Sequence, residues 1–186
     1  MTHRQTTISS AFYAEAAENF CAAKLLFEQL KTAHVRAPGK SGYLLRLQGS
    51  SLFMLLQMTM EKLAKAAYSK QQGDSRLPPW KHDMKLLMAF AMRNPALRNF
   101  FLKSNQVTYS FLLEELDPLQ PSNAKAGGEN LEYPWLTPKN QVKYPARDLQ
   151  LIQKYLANPH NRNLELIMRS IEDFIFSFKK IMRTGR

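Results

Sequence analysis

Apolar side chains near the start of the chain recur at steps of three and four: Ile8, Phe12, Ala16, Phe20, Ala23, Phe27 and Leu30. That spacing draws one stripe down a helix and predicts a helix from about Ser9 to His34, stopped by Pro38-Gly39. A second helix is predicted from about Gly42 to Lys70, with Ser41 as its N-cap. Leu45, Leu52, Leu55, Leu56, Leu63 and Ala67 form its stripe, and Met54, Met58 and Met60 lie beside it. Apolar residues cover more than one face, which predicts a central helix. Gly73-Asp74 ends it, and Pro78-Pro79 enforces an extended connector.

Shorter helices follow, at about His82–Met92, Ala96–Lys103 and Val107–Leu116. Asn94-Pro95 reads as an N-cap with proline at the first helical position, and Asn105 as the N-cap of the third. The stretch from Asp117 to Tyr144 differs in character. It holds Pro118, Pro121, Pro134, Pro138, Gly127-Gly128 and several Asn, and so reads as one long loop. Leu131, Tyr133, Trp135 and Leu136 are too apolar for a free linker and predict that this loop packs back on the body. Tyr144-Pro145 opens a helix running to about Ala157, with Asp148 in its first turn. The last helix carries Leu164, Ile167, Ile171, Phe174, Phe178 and Ile181, a seam suited to pairing with another helix. No strand is predicted. The expected fold is all-α: one domain over residues 1–186, an antiparallel up-and-down bundle framed by its long first, second and last helices.

Composition narrows the function classes. The chain has 186 residues and a single cysteine, Cys21, so neither a disulfide framework nor a cysteine-rich zinc site is expected. No pair among His3, His34, His82 and His160 has the spacing that sets two metal ligands on one helix face. No metal and no cofactor are expected, and no phosphate-cradling glycine loop is present. No apolar run is long enough to span a membrane, and Met1 to Ser10 is too polar for a signal peptide. A cytoplasmic protein without membrane contact is expected. Lys and Arg number 26 against 15 Asp and Glu, a net charge of +11. That balance favours anionic partners such as RNA, nucleotides or an acidic protein, although the cations are scattered along the chain.

Several short motifs stand in a suggestive order. The second helix contains Gln57, then Glu61-Lys62, then Lys65-Ala66. His82-Asp83 precedes the leucine-rich Met84 to Met88. Tyr133-Pro134-Trp135 and Val142-Lys143-Tyr144-Pro145-Ala146 come before a later helix. This order resembles the HEPN superfamily of small helical bundles, over about Gly42 to Ala157. The resemblance implies a scaffold used in metal-independent ribonucleases, in partners of minimal nucleotidyltransferases and in nucleotide-associated modules. The ribonuclease branch has an arginine and, four to six residues on, a histidine at the start of a late helix. No histidine follows Arg147, Arg162 or Arg169 in that window. The one formal match, Arg76 to His82, lies in the connector and crosses Pro78-Pro79.

Three places carry candidate chemistry. His82 with Asp83 supplies an acid/base imidazole beside a carboxylate, with Arg76 to stabilise phosphate charge. The simpler reading, preferred because adjacent helical residues do not face each other, is a capped helix start. Glu61 and Lys65 read as an exposed i, i+4 ion pair, while Lys62 remains a candidate phosphate contact. Lys143, Tyr144 and Arg147 put two cations and an aromatic at a helix N-terminus, an arrangement suited to an anion, with Trp135 and Tyr133 lining the same wall. A packed Tyr with a start-signal proline is the alternative there. The terminal Lys179, Lys180, Arg183 and Arg186 suit a helix C-terminus.

The expected function is therefore a non-catalytic, HEPN-like binding or partner module. It would contact a nucleotidyltransferase-type protein, a nucleotide or RNA. The first alternative is a divergent ribonuclease using His82 and Arg76. The second is a structural homodimer paired through the seam of the last helix.

Overall fold

A computed structural model of the chain describes residues 7–36, 41–74, 76–78, 84–120, 129, 131, 135–156 and 162–184. The first two elements are the long helices α1 (Ile8–Arg36) and α2 (Ser41–Gln71), which form the largest packed pair. The Thr7 hydroxyl caps α1 by accepting from the Ser10 N–H at 3.2 Å. The expected stripe of α1 faces inward, with Ala16, Phe20, Ala23, Phe27 and Leu30 all buried. From Leu52 to Ser69 most of α2 is buried whichever way a residue points, so it is the central helix its sequence predicts. Gly49 lets Ile152 lie against this helix, where an added Cβ would meet the isoleucine side chain at 2.9 Å.

The end of α2 follows the Schellman pattern. The Asp74 N–H reaches the Ser69 carbonyl at 2.8 Å and the Gly73 N–H reaches the Lys70 carbonyl at 3.1 Å. Gly73 takes φ +66°, where a side chain is unwelcome. Asp74 follows at φ +61°. Its carboxylate accepts the Ser9 N–H at 2.8 Å, so the end of α2 also satisfies the start of α1.

The shorter helices are α3 (Met84–Ala91), α4 (Pro95–Asn99) and α5 (Gln106–Ser110). The last two continue as π-helical turns, Phe100–Ser104 and Phe111–Leu116. Asn94 caps α4 as expected, its side-chain oxygen accepting from Ala96 and Leu97 at 2.9 and 3.2 Å. Asn105 does not cap α5 with its side chain. It turns back instead and donates to the Phe100 carbonyl at 3.0 Å. Asp117 is buried and accepts the Met84 N–H at 3.0 Å, capping α3 from 33 residues away. Glu115 accepts from Tyr155 and pairs with Lys154.

The expected long loop contains more structure than its sequence predicts. Asp117–Leu119 forms a 3-10 turn. β1 (Trp135–Leu136) and β2 (Val142–Lys143) then make a short antiparallel ladder, with Trp135 opposite Lys143 and Leu136 opposite Val142. The turn between them is built by Pro138 and by Asn140, which takes φ +56°, a conformation that asparagine tolerates. The Thr137 N–H closes it on the Gln141 carbonyl at 3.0 Å. Leu131 is buried, as expected for a loop that packs back.

The chain then forms α6 (Pro145–Asp148), a π-helical turn (Ile152–Leu156) and α7 (Asn163–Thr184). Leu164, Ile167, Ile171, Phe174 and Phe178 of the predicted seam are all buried within this one chain. Those five side chains are used up internally, so a second copy would need another face. Along α1, Tyr13 stacks on Phe178 at 5.4 Å, Lys24 pairs with Glu172 at 2.5 Å and Lys31 pairs with Glu165 at 2.7 Å. The result is an all-α bundle, and no helix among the described residues is long and apolar enough to cross a membrane.

Candidate functional site

The motif residues of α2 occupy two different environments. Gln57, Glu61 and Lys65, four residues apart along one side of the helix, are all buried. Lys65 donates to Glu61 at 2.5 Å, so the expected i, i+4 pair is made, but inside the protein and not on an exposed edge. A buried pair gains Coulomb energy and loses hydration, so it adds little net stability. Removing one partner leaves a charge stranded. The Gln57 side-chain nitrogen has no hydrogen-bond partner among the described residues. Lys62, one residue around the helix, points to α1. It pairs with Glu15 and lies over the Phe12 ring at 5.3 Å from its centre. Its charge is neutralised at that contact.

The hairpin and the turn after it form the second place. Lys143 ends β2, Tyr144 is the N-cap of α6, and Val142 and Tyr144 are 48% and 46% exposed. Asp148 closes the turn. Its carboxylate accepts the Tyr144 N–H at 2.9 Å and lies 3.7 Å from the Lys143 ammonium. The turn thus carries its own anion where a ligand's phosphate was expected. Trp135 is the ladder partner of Lys143, so the backbone does bring these two candidates together. The Trp135 and Arg147 side chains and the whole of Tyr133 lie outside the described residues.

The third place is the connector after α2. Arg76 is exposed in the bend there, and His82 and Asp83 lie outside the described residues. Around the end of the hairpin loop, burial pushes the Glu129 carboxyl up, opposed by the Gln150 N–H that it accepts. Burial and the neighbouring Glu115 carboxylate push the Tyr155 hydroxyl far up, so it stays protonated and donates to Glu115 at 2.7 Å.

Sequence reasoning missed a place where three helix ends meet. Thr7, Ser9, Ser10 and Tyr13 of the α1 start, Lys70 near the α2 end, and Phe178, Lys179 and Met182 of α7 surround a cavity of about 420 Å³. The only signal in the sequence is the terminal basic cluster, and that has a sufficient explanation in the helix dipole.

Comparison with protein-family models finds no match to this chain. Comparison with curated proteins and with solved structures finds none either. Fold and geometry define an all-α bundle with a hairpin turn whose Lys143 is paired and a cavity lined by two lysines.

Proposed function

We propose that this chain is a non-catalytic, HEPN-like binding module whose hairpin turn contacts a nucleotidyltransferase-type protein. The reading rests on the motif order in the sequence and on one observation at the turn. Asp148 takes the Tyr144 N–H and faces Lys143, while the apolar bodies of Val142 and Tyr144 remain half-exposed. A turn that pairs Lys143 with its own carboxylate and offers an aliphatic and an aromatic side chain suits a protein surface better than a free phosphate. The neutralised Lys62 and the interior Glu61–Lys65 pair favour the same reading, because neither offers a cation to RNA or a nucleotide.

Two experiments test it. In the first, structured and single-stranded RNA are incubated with the purified chain in EDTA, beside His82→Ala. The RNA should stay intact with both. Cleavage that disappears in His82→Ala would overturn the non-catalytic reading in favour of a ribonuclease. In the second, tagged native chain and Val142→Asp/Tyr144→Ala are used for capture in parallel, with the bound proteins identified by mass spectrometry. A nucleotidyltransferase-type protein held by the native chain alone is the expected result. Equal capture by both rejects the turn as the contact, and absence of any such protein from both rejects the partner class.

A further inference from the structure

We propose that the cavity between the start of α1 and the ends of α2 and α7 binds a small amphiphilic organic anion, a phosphate or carboxylate headgroup on an aromatic body. This site lies apart from the hairpin turn and does not rest on the reading given for it.

Charge balance singles the cavity out. Among the described residues its lining carries two cations, Lys70 and Lys179, and no acid. Two other cavities differ. A groove of about 200 Å³ between α1 and α7 is lined by Lys24, Lys31 and Arg169 together with three glutamates. Lys24 and Lys31 are already paired there. Among the described residues, a cavity of about 650 Å³ near the hairpin has Glu115, Glu129 and Asp148 against Lys154. An organic anion is attracted by the first, indifferent to the second and repelled by the third.

The two lysines are not equally committed. Lys70 lies 3.5 Å from the Asp74 carboxylate, which also accepts the Ser9 N–H. Among the described residues Lys179 has no carboxylate partner; its ammonium lies over the Tyr13 ring, 5.1 Å from the centre. Lys179 is therefore the cation most able to change partners. The start of α1 contributes little attraction of its own, because the Ser9 and Ser10 N–H groups already bond Asp74 and Thr7. Its hydroxyls supply polar edges beside the lysines, and the Ser10 hydroxyl sits at the exposed rim.

The opposite wall fixes the rest of the ligand. Phe178 and Met182 are buried core residues whose outer surfaces line the cavity. They bring small parts of an aromatic ring and a polarisable thioether to the cavity, beside the half-buried Tyr13 ring, and such surfaces favour an apolar body. A volume of about 420 Å³ holds such a body with its headgroup. Inorganic phosphate would leave this wall uncovered, and an uncharged aromatic would leave the lysines without an anion.

The test is a fluorescence titration with 1-naphthyl phosphate, beside 1-naphthoate, 1-naphthol and inorganic phosphate. Saturable binding of one or both naphthyl anions is expected, with naphthol and inorganic phosphate at least about tenfold weaker. Binding of the phosphate ester alone identifies a phosphate headgroup, and binding of both identifies a site for either. Lys179→Gln removes an exposed charge and should weaken the naphthyl anions about tenfold or more, while Lys24→Gln in the α1–α7 groove should not. Ser10→Trp, checked for native helicity by circular dichroism, should block the mouth and abolish binding. Equal affinity in native chain and Lys179→Gln, naphthol binding as tightly as its anions, or no saturable binding below about 1 mM would each overturn the proposal.

Discussion

The hairpin turn and the three-helix cavity both gather cations beside aromatic side chains, yet they differ in where the nearest carboxylate sits. At the turn, Asp148 is four residues from Tyr144, accepts its N–H and faces Lys143. At the cavity, Asp74 caps α1 and lies 3.5 Å from Lys70, while Lys179 has no carboxylate partner among the described residues. Cations close together in sequence are readily matched by a neighbour in sequence. Cations brought together by tertiary packing have only the neighbours that the fold allots them. A basic cluster is thus a poor guide to an anion site until its carboxylates are located.

The extreme case of a matched lysine lies inside α2, and disturbing it gives the largest expected effect. Lys65→Met leaves the buried Glu61 carboxylate without its ammonium and should cost about 3 kcal/mol or more in urea unfolding. Glu61→Leu/Lys65→Met should recover most of that loss, because both charges leave the interior together. A single variant as stable as the native chain would show that the pair is not desolvated.

Next in size is Asp74, on which the geometry of the cavity depends. Burial pushes its carboxyl up, but hydrogen bonds from Ser9 and the Lys70 charge outweigh this and hold it below its ordinary value of 3.8. Such a group stabilises the fold fully above its unfolded value, and the contribution is lost as pH falls through the lower, folded value. Asp74→Ala should cost about 1 to 2 kcal/mol at neutral pH through the lost cap. Asp74→Asn should keep most of the cap and flatten the fall in stability below about pH 4. An unchanged acid profile in the asparagine variant would place the titrating group elsewhere.

A smaller effect converts the turn toward the cavity's condition. Asp148→Asn keeps an oxygen for the Tyr144 N–H and removes the charge facing Lys143. The turn should then gain affinity for 1-naphthyl phosphate worth about 0.3 to 1 kcal/mol, screened by salt. No gain would mean that charge balance is not what separates the two regions.

Much of the frame was legible from the sequence, because three-four periodicity over twenty or more residues admits few other solutions. The stripe of α1, the all-round burial of α2, the Asn94-Pro95 start and the Gly73-Asp74 stop are all local signals, and each appears in the structure. The strands of the hairpin are only two residues each, too short for alternation to show, and they depend on the turn at Pro138 and Asn140. The roles of Asp117 and Asp74 were illegible for a different reason. They cap helices 33 and 65 residues away, and spacing along the chain carries no trace of such pairings. The cavity shares that property, since its lysines come from helices more than a hundred residues apart.

The most direct measurement is an amide chemical-shift map of the ¹⁵N-labelled chain during titration with 1-naphthyl phosphate. Progressive, saturating shifts at residues 7–13, 70–74 and 178–182, with residues 142–148 unmoved, are the predicted result. Saturating shifts centred on 142–148, with the three helix ends unmoved, would contradict the account.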